Sequence, residues 1–217
     1  MSATLHANSP SRPIRLHGHP LSGHVHRVEL FLSLLGLPFE KVMVDMTRAE
    51  HKSPAFLALN PFGQMPVIQD GDLTLPDSAA ILVYLARTYD KTDRWWPRDA
   101  IGAANVQRWL SVAAGQLAHG PAAARVAMLF GRPQDQAPRD AAARLFALMD
   151  AHLGEQAFLA SAHPTIADIA LYTYTSHAPE GGVSLSPYAH LRAWLARIEA
   201  LPGYVGMTRS PVPDATA

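Results

Sequence analysis

The sequence predicts an α/β half followed by an all-α half, and three observations carry that reading. Up to Tyr89 the chain orders as strand, helix, strand, a short helix or loop, and then a hairpin running into a helix. A charged, proline-containing stretch, Asp90–Asp99 (DKTDRWWPRD), then interrupts the apolar patterning. From Ile101 onward there is no strand alternation, only helical spacing of apolar residues. The expected organisation is a domain over residues 1–89, a linker over 90–100 and a helical domain over 101–217, with Met1–Pro13 as a polar tail that frays.

Ile14, Arg15 and Leu16 open the first strand, and a loop from Gly18 to Gly23 leads into a helix. Its apolar face is Val28, Phe31, Leu32 and Leu35, and Gly36 stops it. Phe39, Val42 and Val44 alternate as a second strand that runs to Asp45, with a slip at Met43. A helix or loop over Pro54–Leu59 follows. Pro66, Val67 and Ile68 form a strand opened by a proline, Asp70-Gly71 is the turn, and Leu73, Thr74 and Leu75 form the returning strand. The next helix starts at Asp77 and Ser78, carries Ile81, Tyr84 and Leu85, and ends near Tyr89. This βαβ then ββα order is that of a thioredoxin-like half-chain. Trp95 and Trp96 in the linker are expected to pack against one domain. Helix candidates beyond it are Ile101 to about Phe130, bent at Gly120-Pro121, then Arg139–Leu153, Ile166 to about Ser176 and Tyr188–Leu201. Thr165-Ile166-Ala167-Asp168 reads as a capping box, which assigns Asp168 to folding rather than catalysis.

Composition narrows the function. The 217 residues are 48% hydrophobic and carry 18 basic and 18 acidic side chains, so no net field favours nucleic acid or an anionic membrane. The absence of cysteine excludes disulfides, Cys-based metal sites and a protein thiol nucleophile, so any thiol must arrive with a substrate. No leader-like segment opens the chain and no apolar run approaches the ~20 residues that span a bilayer, so a cytoplasmic protein is expected.

Two features point to a small-peptide site. Pro66 cannot donate to a ladder, so it belongs at the start of its strand, where the Met65–Pro66 bond can be cis and the Met65 backbone is free to pair with an extended peptide. Asp77 and Ser78, with the free N–H groups of the helix they begin, suit a carboxylate and an amine. His17, His19, His24 and His26 form two His-x-His pairs, but no acid or cysteine completes a metal set. They read as surface and loop histidines, and no metal is expected.

The segments SGHVHRVELFLSLLGLPFE, HKSPAFLALNPFGQMPV, LPDSAAILVYLA and PTIADIALYTY occur in that order between Ile14 and Met207. With them the chain resembles the cytosolic glutathione transferases, in the bacterial and theta-like branch that uses serine or asparagine. The resemblance implies a glutathione transferase that holds the glutathione thiolate and adds it to a small hydrophobic electrophile, working as a homodimer without metal. It implies Ser22 or His24 at the sulfur, Ser78 at the γ-glutamyl carboxylate, Asp77 at the α-amine, and the cysteinyl backbone on Met65, ahead of Pro66. Gln64 lies near the γ-glutamyl end, and His51 and Lys52 lie near the glycine carboxylate. Relatives with the S/T-x-N pattern have asparagine where His24 stands, and relatives most often have glutamate where Asp77 stands. The residues also allow plainer roles: Ser22 and Asp77 as helix caps, Lys52 as a surface lysine. Trp109, His119, Arg125 and Phe130 are candidates to line a second-substrate site, none of them catalytic.

A free thiol of pKa about 8.5 is mostly protonated at neutral pH, and lowering it by ~2 units needs about 2.7 kcal/mol of preference for the anion. A serine hydroxyl is too weak an acid to serve as base, so Ser22 would hold the thiolate rather than deprotonate the thiol. A histidine at position 24 could be donor or base near pH 7, which keeps glutathione-dependent disulfide or peroxide reduction open as a second activity. A non-catalytic binding module on the same fold is the third reading.

Overall fold

The structure is a computed structural model that describes residues 9–211. The expected frayed tail therefore lies, through residue 8, outside the described residues. Four strands, β1 (Ile14–Gly18), β2 (Phe39–Met43), β3 (Val67–Asp70) and β4 (Leu73–Pro76), form one sheet in the order β2-β1-β3-β4. β1 pairs parallel with β2, Ile14 against Phe39, because helix α1 (Gly23–Leu34) carries the chain back across the sheet. β3 is antiparallel to both β1 and β4. Ile14, Leu16, Val67 and Ile68 are buried, whereas β4 is short and largely exposed as an edge.

The hairpin differs from expectation by one residue. Asp70 pairs with Leu73, so the two-residue turn is Gly71-Asp72, with Gly71 at φ 56°. Asp70 stays in the strand because its carboxylate accepts the hydroxyls of Tyr84 and Tyr89, at 2.8 and 2.5 Å, from helix α3 (Ser78–Tyr89). β2 ends at Met43; Val44 still donates to Gly18 but its side chain turns into a small cluster with Phe56 and Val67. α2 covers Pro54–Leu59, capped by Ser53.

Beyond the linker come α4 (Ala100–Val112), a π-helical stretch (Ala113–Ala122), α5 (Ala123–Leu129), α6 (Gln136–Glu155), α7 (Ile166–Ser176) and α8 (Ala189–Glu199). The expected bend falls at Gly120, whose φ and ψ of −98° and −105° leave the helical region ahead of Pro121. A Cβ at Gly120 would lie 3.1 Å from the Ala142 backbone, so α6 crosses there at close range. α6 begins three residues before the expected Arg139, because Asp135 caps it and Pro138 sits in the first turn, where N–H groups have no helical acceptor.

α7 is buried along its whole length and packs against α1, α3 and α4, joining the two halves. Its capping box is formed as expected, and Asp168 is fully buried among the amides of Leu159 and Thr165, the Thr165 hydroxyl and the Trp194 indole. Trp95 bridges the halves instead of joining one: its ring meets Phe31 edge-on at 5.1 Å, while its carbonyl accepts the Ile166 amide.

Candidate functional site

A cleft of about 730 Å³ opens between the C-terminal end of β1, the loop before β3, the tip of α3 and the face of α5. Ser22, His24, His51, Lys52, Gln64, Met65, Pro66, Asp77 and Ser78 all line it. Residues more than half the α/β domain apart in sequence therefore share one wall. The tertiary reason is that β1 and β3 are neighbours in the sheet, which places the loop after β1 beside the cis Met65–Pro66 bond and the tip of α3.

Ser22 caps α1, accepting the Val25 amide at 3.4 Å. That bond is long and uses the oxygen as acceptor only, so the hydroxyl proton remains available to the cleft. Met65 lies just outside the ladder, whose first β3 rung pairs Val67 with Pro76. Asp77 caps α3 through the Ala80 amide, 2.9 Å away, and holds φ at 74°. A non-glycine residue in that region marks a tip shaped for more than helix initiation.

Ser78, at 5% exposure, sits between two groups. Its Oγ accepts from Arg27 Nη1 at 3.3 Å and lies 3.3 Å from His24 Nδ1. Burial first, and then the Arg27 charge, lower the His24 pKa to about 3, so the imidazole is neutral at physiological pH. Its ring stands edge-on to Tyr174 at 5.1 Å. Half-buried at the cleft wall, the ring is thereby held below the range expected of a base titrating near pH 7. Burial also lowers Arg27 to about 10, still protonated, and the cation lies 5.8 Å from the Tyr174 ring.

The loop before β3 is braced from inside. Asn60 donates to the Gln64 carbonyl at 2.7 Å and accepts from the Phe62 amide, while Lys52 Nζ reaches the carbonyls of Phe62 and Gly63 at 3.4 and 3.3 Å. Lys52 is exposed, and its ammonium rests on these two loop carbonyls.

Comparison with known proteins follows the same division of the chain. The description "Glutathione S-transferase, N-terminal domain" matches residues 12–87 and "Glutathione S-transferase, C-terminal domain" matches residues 120–202. The chain belongs to the glutathione S-transferase family. Among its relatives, glutathione S-transferase 3 of Zea mays is 36% identical, over 88% of this chain and 91% of that protein. Glutathione S-transferase theta-1 of Bos taurus is 31% identical, over 85% and 82%. A crystal structure of a glutathione S-transferase from Pseudomonas fluorescens superposes with a TM-score of 0.84 at 32% identity, covering 90% of this chain and 99% of that one.

Within this transferase fold, two of the four second-substrate candidates meet the cleft and two do not. Arg125 and Phe130 line it, with Leu21, Val126 and Leu129. Trp109 is core, packed against His152, and His119 is exposed with Nδ1 bonded to the Gly115 carbonyl of its own helix. The histidine pairs also disperse: His17 and His26 are buried rather than on the surface, bonded to Gln69 and to Thr173 with the Val205 carbonyl. His19 lies in the loop beyond β1, where its Nδ1 accepts the Leu21 amide, and His24 meets Ser78, so each of the four rings has its own partner. Arg27, Asn60 and Tyr174 were missed as site residues. Tyr174 closes the PTIADIALYTY segment, but helical periodicity marks it only as apolar core.

No helix among the described residues is long and apolar enough to cross a membrane.

Proposed function

We propose that the cleft binds glutathione with its sulfur at Ser22 and adds the thiolate to a small hydrophobic electrophile seated against Leu129 and Phe130. The observation that carries this reading is that the free hydroxyl of Ser22, the Met65 backbone and the Asp77-Ser78 tip face one cleft. Ser78 and the first-turn amides of α3 take the γ-glutamyl carboxylate, Asp77 the α-amine, Met65 the cysteinyl backbone, and His51 with Lys52 the glycine carboxylate. Gln64 flanks the γ-glutamyl end. Ser22 donates to the sulfur while the N-terminus of α1 adds its dipole. A hydrogen bond to an anion contributes about 1.5–3 kcal/mol and a helix terminus about 0.3–1, together enough for the ~2.7 kcal/mol that a two-unit fall in thiol pKa requires. His24, neutral, orients Ser78 rather than accepting the thiol proton. That weighs against a histidine-based reductase and for conjugation.

Ser22→Ala should raise the pKa of bound glutathione by about 1–2 units and lower conjugation of an aryl halide at neutral pH by roughly 10- to 100-fold. Turnover unchanged across pH would remove Ser22 from the role. Rates on a mixed disulfide measured alongside separate conjugation from reduction. A cytoplasmic homodimer, which the resemblance implies, is part of the proposal; sedimentation at micromolar concentration reads the oligomeric state.

A further inference from the structure

Two hydrogen bonds hold the peptide unit joining Leu21 to Ser22, one at each end. Its N–H donates to the His19 carbonyl at 3.0 Å, within the loop. Its C=O accepts from Arg125 Nη1 at 2.9 Å, from α5 in the other half of the molecule. A peptide unit is planar, so fixing both ends fixes the plane from which the Ser22 Cα and its hydroxyl project. Arg125 is 1% exposed and is itself held by Glu180, whose Oε2 accepts from Arg125 Nε at 2.6 Å. Glu180 Oε1 accepts from the Ser210 amide at 3.1 Å and lies 2.5 Å from His177 Nδ1. A backbone carbonyl needs no arginine, and water would satisfy it at the rim of a cleft. A buried guanidinium held by a buried carboxylate is an expensive way to satisfy it unless the position of that carbonyl matters.

We propose that Arg125 is a positioning residue for thiol activation: by clamping the Leu21 carbonyl from α5 it sets the direction of the Ser22 hydroxyl. This rests on the glutathione reading given above and adds the half of the molecule that aligns the donor. The ionisable groups around the loop are His19 on the loop itself, His24 and Arg27 on α1, Asp77 at the α3 tip, Tyr174 on α7, His177 and Glu180 beneath Arg125, and His51 with Lys52 across the cleft. Burial lowers His24 and raises Tyr174, so neither titrates near neutral pH to mimic the thiol.

Arg125→Gln separates the two contacts. Its amide reaches Glu180 in place of Nε but falls short of Leu21. The bound thiol is titrated by its thiolate ultraviolet absorbance, with KM for glutathione and the pH profile of kcat/KM measured beside it. The expected result is a thiol pKa higher by about one unit, about tenfold less thiolate near neutral pH, with KM within about twofold of wild type. An unchanged pKa, or a loss of glutathione affinity matching the loss of rate, overturns the proposal. Should Arg125→Gln not fold, Arg125→Lys decides it: Glu180 holds the single ammonium, the loop is again released, and the same shift is expected. Ser22→Ala is the reference. A shift there without one in the Arg125 variants removes only this inference, whereas no shift there removes the reading beneath it.

Discussion

Replacing Asp168 with asparagine tests whether the buried acid of α7 is purely a folding element. Oδ1 accepts the Leu159 amide and the Trp194 indole N–H, both at 2.9 Å; Oδ2 accepts the Thr165 amide at 2.8 Å and its hydroxyl at 3.2 Å. Asparagine has one acceptor oxygen, so its NH2 must face one of these pairs. The milder orientation faces Thr165, whose hydroxyl can turn to accept, but the Thr165 amide then meets a donor and has no acceptor. A buried group left unsatisfied costs about 1–3 kcal/mol, and the two surviving bonds fall from charge-assisted to neutral. Relief of the buried charge offsets part of this, leaving about 2–4 kcal/mol of destabilisation. For a chain of this size that lowers Tm by about 5–15 °C in a thermal melt at fixed protein concentration. Activity per folded molecule, measured well below Tm, should be unchanged, because Asp168 lies outside the cleft. Loss of kcat at an unaltered Tm would refute the argument and make Asp168 a catalytic candidate.

Acid should destabilise the fold before it titrates most carboxylates. His26 is held down to about 4, chiefly by burial, and His24 to about 3, against an ordinary 6.5. Between those values the unfolded chain binds protons that the folded chain refuses, so stability falls as pH drops through that window. His26 alone accounts for about 3 kcal/mol between pH 6.5 and 4, from 2.5 units at 1.36 kcal/mol each. Urea midpoints measured from pH 8 to 4 should decline below about 6.5, and a flat profile contradicts the assignment. Asp77→Asn keeps the helix cap and tolerates the left-handed φ, so stability should hold. It removes the charge offered to the α-amine, and KM for glutathione should rise about tenfold with kcat little altered. Calorimetric binding at unchanged affinity would count against that contact.

Much of the site was legible because its signals are local. The caps at Ser22, Asp77 and Thr165 satisfy amides two or three residues away, and the proline-led strand at Pro66 reflects a missing N–H, so neighbours in sequence suffice to expose them. The hairpin was read one residue out because Asp70 is claimed by Tyr84 and Tyr89, which lie 14 and 19 residues ahead in the chain. His17 and His26 carry no mark that says which face of the sheet or helix will be covered. His26 is buried by Thr173 and Val205, 147 and 179 residues away.

The sequence alone determined the element order and the fact that any thiol must come from outside, since these follow from short-range hydrogen bonding, periodicity and composition; the family and most of the expected cleft residues came from the resemblance of four segments in register. The tertiary structure decided which of those residues act on one another: the neutral state of His24, the grip of Arg27 on Ser78, and the bond from Arg125 to Leu21 across 104 residues. Burial and charge proximity are properties of packed neighbours, and the energies that set them arise only once distant segments exclude water from the same place.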